Sequence, residues 1–217
     1  MRAMGLMRRV GSPVVELFAH PHGLATRPMA WVLNVVNGAG NRRVGDVLEL
    51  RSGERVLEIG FGGGAAIPAT LDRLRPDGTL VGVDLECDMA VNARRRFRSA
   101  IEARRLQLAC ADVASLPFPE SSMDQAYAMH SHLYWPDPLA ALIELRRVLR
   151  PGGQLLLAMD TTLGLQLIKT FSANYHPAAP EDLRKLFDQA GYTDIADQPL
   201  TRSVVAVVGR VGPARPS

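Results

Sequence analysis

The chain's 217 residues are 47% hydrophobic and 22% charged, which suits one globular domain and excludes a disordered or low-complexity chain. The 25 Lys and Arg against 22 Asp and Glu leave a net charge of +3, too little to demand nucleic acid or an anionic membrane as partner. No stretch approaches the roughly 20 apolar residues of a membrane span, and Glu16 interrupts the short apolar run near the N-terminus, so no signal peptide is expected there.

In chain order, "RPMAWVLNVVN" (27–37) sets Met29, Leu33 and Val36 at helical intervals, and "RRVGDVLEL" (42–50) predicts a second helix. We expect an N-terminal helical cap or lid over residues 1–44, a main domain over 45–210 and a loose tail over 211–217. The main domain opens with a turn and the strand Arg55–Ile59. "AAIPATLDRLRPDG" reads as a helix with Pro68 near its first turn, ending before Pro76 and Gly78. Strands follow at 79–84, 105–112, 122–130 and 154–160, with helices over 87–103 and 137–153, the latter stopped by Pro151-Gly152-Gly153. Read as strands alternating with helices five times, the pattern predicts an α/β fold, a mostly parallel sheet with helices on both faces. A helix over 180–191 and strands at "YTDIADQPL" and 203–210 complete the chain. The link over 197–203 is too short for a parallel crossover, so the last strand is predicted antiparallel.

Cys87 and Cys110 have no metal-ligand or CxxC spacing and read as reduced thiols in or near the core, which fits a cytoplasmic protein.

The most informative stretch is "VLEIGFGGG" (56–64), a strand that breaks into Gly60, Gly62, Gly63 and Gly64 ahead of a helix. In open α/β sheets ligands bind at the carboxyl ends of strands, where glycines let a ligand approach the main chain and the next helix offers N–H groups. "GFGGGA" also satisfies the dinucleotide pattern G-x-G-x-x-G/A, so the loop alone does not choose between ligands. Asp84 ends the second strand, where a carboxylate can accept from both ribose hydroxyls, and both readings predict it. Asp112 follows the third strand, where an acid can take the exocyclic amino group of adenine with Val113 and Leu116 as apolar contacts; a turn-forming Asp is the alternative.

With "VGVDLECDM", "ACADVASLPFPESSMD" and "ALIELRRVLRPGGQLLLA" following in this order and spacing, the chain resembles the class I methyltransferases that use S-adenosylmethionine. The resemblance covers residues 45–160 well and the tail loosely, and "RVLRPGG" before a strand has no counterpart in the dinucleotide enzymes. It implies a Rossmann-like, seven-stranded sheet with the last strand antiparallel. It also implies roles: Glu58 near the methionine end, Gly60, Gly62 and Gly64 beneath the cofactor, Asp84 on the ribose, Leu85 against the adenine, Asp112 with Val113 at the adenine amino group, and His130 facing the methyl sulfonium region. Phe61 departs mildly from the small or polar residue often found there.

"MHSHLYWPDP" (129–138) lies where this family builds its acceptor site and does not match the Asn/Asp-Pro-Pro-Tyr/Phe of nucleic-acid amino methyltransferases. Histidine titrates near 6.5 when unperturbed and can take a hydroxyl proton. His130 or His132 is therefore the candidate base, and on an extended segment the two would point the same way. The alternative is that both only shape the site. No third ligand completes a metal site with them, Asp137 being the nearest candidate, and no metal is expected. Tyr134, Trp135, Trp31 and Tyr175 are candidate acceptor contacts. The arginine-rich "ARRRFRSAIEARR" reads as a solvated helix face without interleaved aromatics, which argues against nucleic acid. We expect methylation of a small molecule at a hydroxyl (a sugar, polyketide, phenol or lipid-like alcohol). The alternatives are quinone-type C-methylation, RNA methylation, a nicotinamide oxidoreductase or a cofactor-binding protein without turnover.

Overall fold

The computed structural model describes residues 40–160 and 179–213. The predicted helix over 27–37, Trp31, Tyr175, most of the predicted cap and the end of the tail lie outside the described residues.

Helix α1 covers 40–47. Seven strands, β1 (Arg55–Ile59), β2 (Thr79–Asp84), β3 (Leu106–Cys110), β4 (Met123–Met129), β5 (Leu149–Asp160), β6 (Tyr192–Pro199) and β7 (Val204–Val211), form one sheet in the order β3-β2-β1-β4-β5-β7-β6. The first five pair in parallel, while β7 runs antiparallel to both β5 and β6. Only residues 200–203 join β6 to β7, and so short a link cannot carry a crossover, which bears out the antiparallel last strand.

Helices α2 (Ile67–Arg73), α3 (Cys87–Arg96), α4 (Arg98–Glu102), α5 (Pro138–Val148) and α6 (Pro180–Gln189) cover the two faces. On one face α5 and α6 bury Leu142, Leu145, Leu183 and Phe187 against Leu57, Ile59, Leu155 and Val207. On the other, α1, α2 and the residue capping α2 bury Val44, Ile67 and Leu74 against Val56, Leu80, Tyr127 and Leu156. Strand alternation feeds the two layers: Val56 and Leu57, adjacent on β1, belong to opposite ones. Each fully buried aliphatic side chain contributes about 1.5–3 kcal/mol.

Three local predictions differ. The alternation lapses once, because the 111–122 connection holds no helix; Pro117 and Pro119 deny it regular N–H donors. The helix expected over 87–103 is broken at Phe97 (φ −108°, ψ 27°) into α3 and α4. The helix expected to reach Gly153 stops at Val148, and Leu149 is already extended, because Pro151 disfavours helical backbone just before it. A Cβ on Gly153 would lie 2.6 Å from the Asp124 carbonyl oxygen, so glycine there lets β5 pass close to β4.

The reading of two reduced thiols is overturned. Cys87, the first residue of α3, and Cys110, the last of β3, form a disulfide with Cα atoms 5.1 Å apart, both on the exposed surface. Register explains it: Asp84 pairs with Cys110 across β2 and β3, which brings the start of α3 beside the end of β3.

Candidate active site

The β1–α2 connection sits at the carboxyl edge of the sheet. Gly60, Gly62 and Gly64 have φ of 71°, 49° and 71°, a region that side chains resist. The Gly60 N–H donates to the Val83 carbonyl (2.7 Å), and the Gly64 N–H closes a tight turn onto the Phe61 carbonyl (2.7 Å). Part of the demand for glycine is internal: a Cβ on Gly64 would lie 2.6 Å from Phe97 Cε2. Arg96 Nη1 donates to the Gly63 carbonyl (2.9 Å), so the α3–α4 junction braces the loop from outside. Phe61 is buried among Met89, Ala90 and Ala93, and its ring fills the space that a side chain on Gly82 would need. It is an internal anchor of the loop.

Glu58 is 4% exposed. Burial raises its pKa from the usual carboxylate value to about 7, opposed by a hydrogen bond from Tyr127 and helped by the charge of Asp84. Its Oε2 has no hydrogen-bond partner among the described residues. A buried carboxylate oxygen left so is costly unless a donor arrives.

Asp84 turns its carboxylate to the loop, Oδ2 accepting from the Gly62 N–H (2.8 Å) and Oδ1 from the Glu86 N–H (3.0 Å). Desolvation raises its pKa, and these hydrogen bonds oppose the rise. Each carboxylate oxygen has a second acceptor site, so a diol can still be bound. Leu85 beside it is 58% exposed, a large apolar side chain left open at the same edge. Asp112 is not buried, and its Oδ1 accepts from the Ala114 N–H (2.9 Å), so it forms the turn that was its alternative reading while Oδ2 is available. Val113 is buried with Leu116 in the main core. The loop carrying both is fixed to α5: Glu144 accepts from the Leu116 N–H (2.8 Å) and from Arg147 (2.7 Å), and Arg147 donates to the Phe118 carbonyl (3.0 Å). The Arg147 hydrogen bond holds the Glu144 carboxyl below its ordinary pKa.

These features fit an adenosylmethionine group: a loop closed to side chains, an acid able to take a ribose diol, an exposed apolar surface for a base, and a buried carboxylate with one oxygen lacking a donor among the described residues. Asp84→Asn is expected to weaken S-adenosylhomocysteine binding about 10- to 100-fold, because a charged acceptor is lost to both the Gly62 N–H and the sugar. Calorimetric titration reads this, and unchanged affinity would remove the ribose assignment.

The stretch expected to face the acceptor begins at His130, which follows β4 with left-handed φ of 64° and lies 7% exposed. Its N–H donates to the Ala158 carbonyl (2.9 Å), and its Nδ1 lies 3.4 Å from Asp160 Oδ2 at the end of β5. The sequence reading missed Asp160; its signal was the acid ending "QLLLAMD", one strand over from His130. The expectation that His130 and His132 share one side of an extended segment is corrected, since Ser131–Tyr134 forms a 3-10 turn. His132 is 3% exposed, its ring edge-on to Trp135 with centroids 6.0 Å apart. Trp135 belongs to the main core and Tyr134 packs partly buried against it. Asp137 caps α5, accepting from the Ala140 N–H (3.0 Å). Among the described residues, no three His, Cys, Asp or Glu are grouped to hold a metal ion, and no helix is long and apolar enough to cross a membrane.

Residues 57–157 match the family model described as a methyltransferase domain. The O-methyltransferase rstn1 of Aspergillus nomiae is 30% identical over 169 residues, covering 72% of this chain and 74% of that one. The 27-O-demethylrifamycin SV methyltransferase of Amycolatopsis mediterranei is 34% identical over 115 residues, 53% of this chain and 42% of that protein. Across these and two further curated relatives the match spans between 32% and 74% of their length. The crystal structure of a SAM-dependent methyltransferase from Aquifex aeolicus superposes with a TM-score of 0.65 at 15% identity, covering 95% of this chain and 97% of that one, a likeness of fold.

Proposed function

Because this chain belongs to the class I S-adenosylmethionine-dependent methyltransferases, we propose that it transfers a methyl group to a hydroxyl of a small molecule, with His130 as the proton acceptor. The observation that carries the reading is the pairing of His130 Nδ1 with Asp160 Oδ2 at 3.4 Å, at the ends of two adjacent strands and one residue from Ser131, which touches the glycine loop.

When bound, the cofactor supplies a methyl group on a positive sulfonium, so the acceptor oxygen needs only alignment and relief of its proton. Asp160 Oδ2, 3.4 Å from Nδ1, favours the tautomer protonated there and leaves Nε2 of the same ring to accept that proton. Burial of both side chains keeps water from competing with the acceptor. Gly60, Gly62 and Gly64 with Glu58 hold the amino-acid end of the cofactor, Asp84 and Leu85 its sugar and one face of the base, and Asp112 with Val113 the base edge. His132, buried against Trp135, shapes the wall behind His130, with Tyr134 at its margin. Trp31 and Tyr175 remain proposed acceptor contacts. A cytoplasmic setting is part of the proposal, though the Cys87–Cys110 bond removes the free thiols that spoke for it.

Relatives named for 27-O-demethylrifamycin SV and aklanonic acid favour a metabolite as acceptor over a nucleic acid. Incubation with a methyl-labelled donor against a panel of hydroxylated metabolites and total unmodified RNA tests this. Label in a methyl ether is expected; label at carbon or in RNA would overturn it.

A further inference from the structure

Glu58 and Tyr127 are register partners on β1 and β4, so their side chains leave the same face of the sheet. That face is covered by α2, which contributes Thr70. The Tyr127 hydroxyl lies 3.0 Å from Thr70 Oγ1, and from its register position opposite Glu58 it acts on the Glu58 carboxyl as a hydrogen-bond donor that lowers its pKa. All three are buried, Tyr127 at 0%, Thr70 at 2% and Glu58 at 4% exposure. Glu58 stands two residues before the glycine loop and Thr70 on the helix after it, so one hydroxyl joins the two elements that the loop connects. When Glu58 is ionised its carboxylate only accepts, so in that state Tyr127 donates to Glu58 and Thr70 donates to Tyr127. With one Glu58 oxygen engaged this way, Oε2 is the atom without a partner among the described residues.

We propose that Tyr127 is a positioning residue for the cofactor: its hydroxyl sets the spacing of the loop's two ends and turns Glu58 Oε2 toward the cofactor's α-ammonium group. The inference rests on the cofactor assignment above and adds a role for two residues outside the glycine motif. The titratable groups facing Glu58 are Tyr127 from β4 and Asp84 from β2, while α2 presents Thr70, which does not titrate. Burial, and then the Glu58 charge, hold the Tyr127 hydroxyl well above its ordinary pKa, so it stays a donor. Glu58 itself, raised to about 7, must ionise to take an ammonium group. Binding is therefore fully developed above pH 7 and falls about tenfold per unit below it. The Tyr127 hydrogen bond lowers the Glu58 pKa, so its loss moves that break to higher pH.

The test compares S-adenosylhomocysteine with 5′-methylthioadenosine, the same nucleoside without the amino-acid end, by calorimetry across pH. Tyr127→Phe is expected to weaken the homocysteine ligand about 10-fold at neutral pH, raise its pH break, and leave methylthioadenosine within about twofold. Thr70→Val, nearly isosteric, is expected to give a smaller loss, about threefold, again for the homocysteine ligand alone. Equal weakening of both nucleosides would make Tyr127 a packing residue and overturn the proposal, as would an unshifted pH break. Wild-type protein that binds neither nucleoside would instead sink the cofactor reading itself, and this inference with it.

Discussion

Replacing His130 by asparagine is expected to lower the rate of methyl transfer by about 10²- to 10⁴-fold while S-adenosylhomocysteine still binds within about threefold of wild type. Asparagine is the informative choice because His130 sits at φ 64°, a backbone region that asparagine tolerates and alanine resists. The N–H bond to the Ala158 carbonyl survives the change, so the turn after β4 keeps its anchor. What is lost is a side chain that can carry a proton. Asp160→Asn should lower the rate in the same direction by a smaller factor, because an amide can still touch Nδ1 but no longer favours the tautomer that leaves Nε2 to accept. His132→Asn tests the neighbouring histidine: buried edge-on to Trp135, it should affect stability more than the rate constant. Single-turnover kinetics with saturating donor separates the effects, and a full rate in His130→Asn would remove histidine as the base.

How much of this was legible before the fold was known depends on whether a residue's role is set by its own segment or by a neighbour. The turn of the glycine loop, the place of Asp84 at the end of β2 and the antiparallel final strand were legible because each is fixed locally: a strand followed by glycines, an acid at a strand end, a link too short to cross over. The Cys87–Cys110 bond was not, since its partners meet only through the pairing of β2 with β3. Asp160 has the same origin; β5 must lie beside β4 before its last residue can reach His130. The histidine stretch misled for a different reason. Two residues after a strand look extended on paper, but His130 takes a left-handed turn and the next four residues coil, which sends Trp135 into the core beside Leu133. Tyr127 was hidden by its own sequence context, "DQAYAMH", where a single tyrosine in an apolar strand reads as filler.

Gly60→Ala is expected to carry one of the largest costs of any single added methyl group among the described residues, because it strikes the proposed cofactor loop and the proposed acceptor turn together. The added Cβ would lie 2.3 Å from Ser131 Cβ and 2.6 Å from Ser131 Oγ, far inside contact distance. Ser131 cannot retreat without giving up its hydrogen bond to the Ile59 carbonyl (2.8 Å), and it stands between His130 and His132. At φ 71° an alanine adds backbone strain of about 1–2 kcal/mol, and overpacking adds about 1–3 kcal/mol. A stability loss of about 2–5 kcal/mol follows from the two together. S-adenosylhomocysteine affinity should fall about 100-fold or more as Gly60 loses its place against Val83. Gly53→Ala separates the two causes. Gly53 has φ 82°, and a methyl group placed on it would meet nothing within 4 Å, so it carries the strain without the clash and should leave cofactor affinity unchanged. Adding Ser131→Gly to Gly60→Ala removes the clash and should restore most of the affinity, leaving a strain-sized deficit in stability. If the double variant binds no better than Gly60→Ala, then the ligand itself, rather than the neighbouring serine, is what excludes a side chain from position 60.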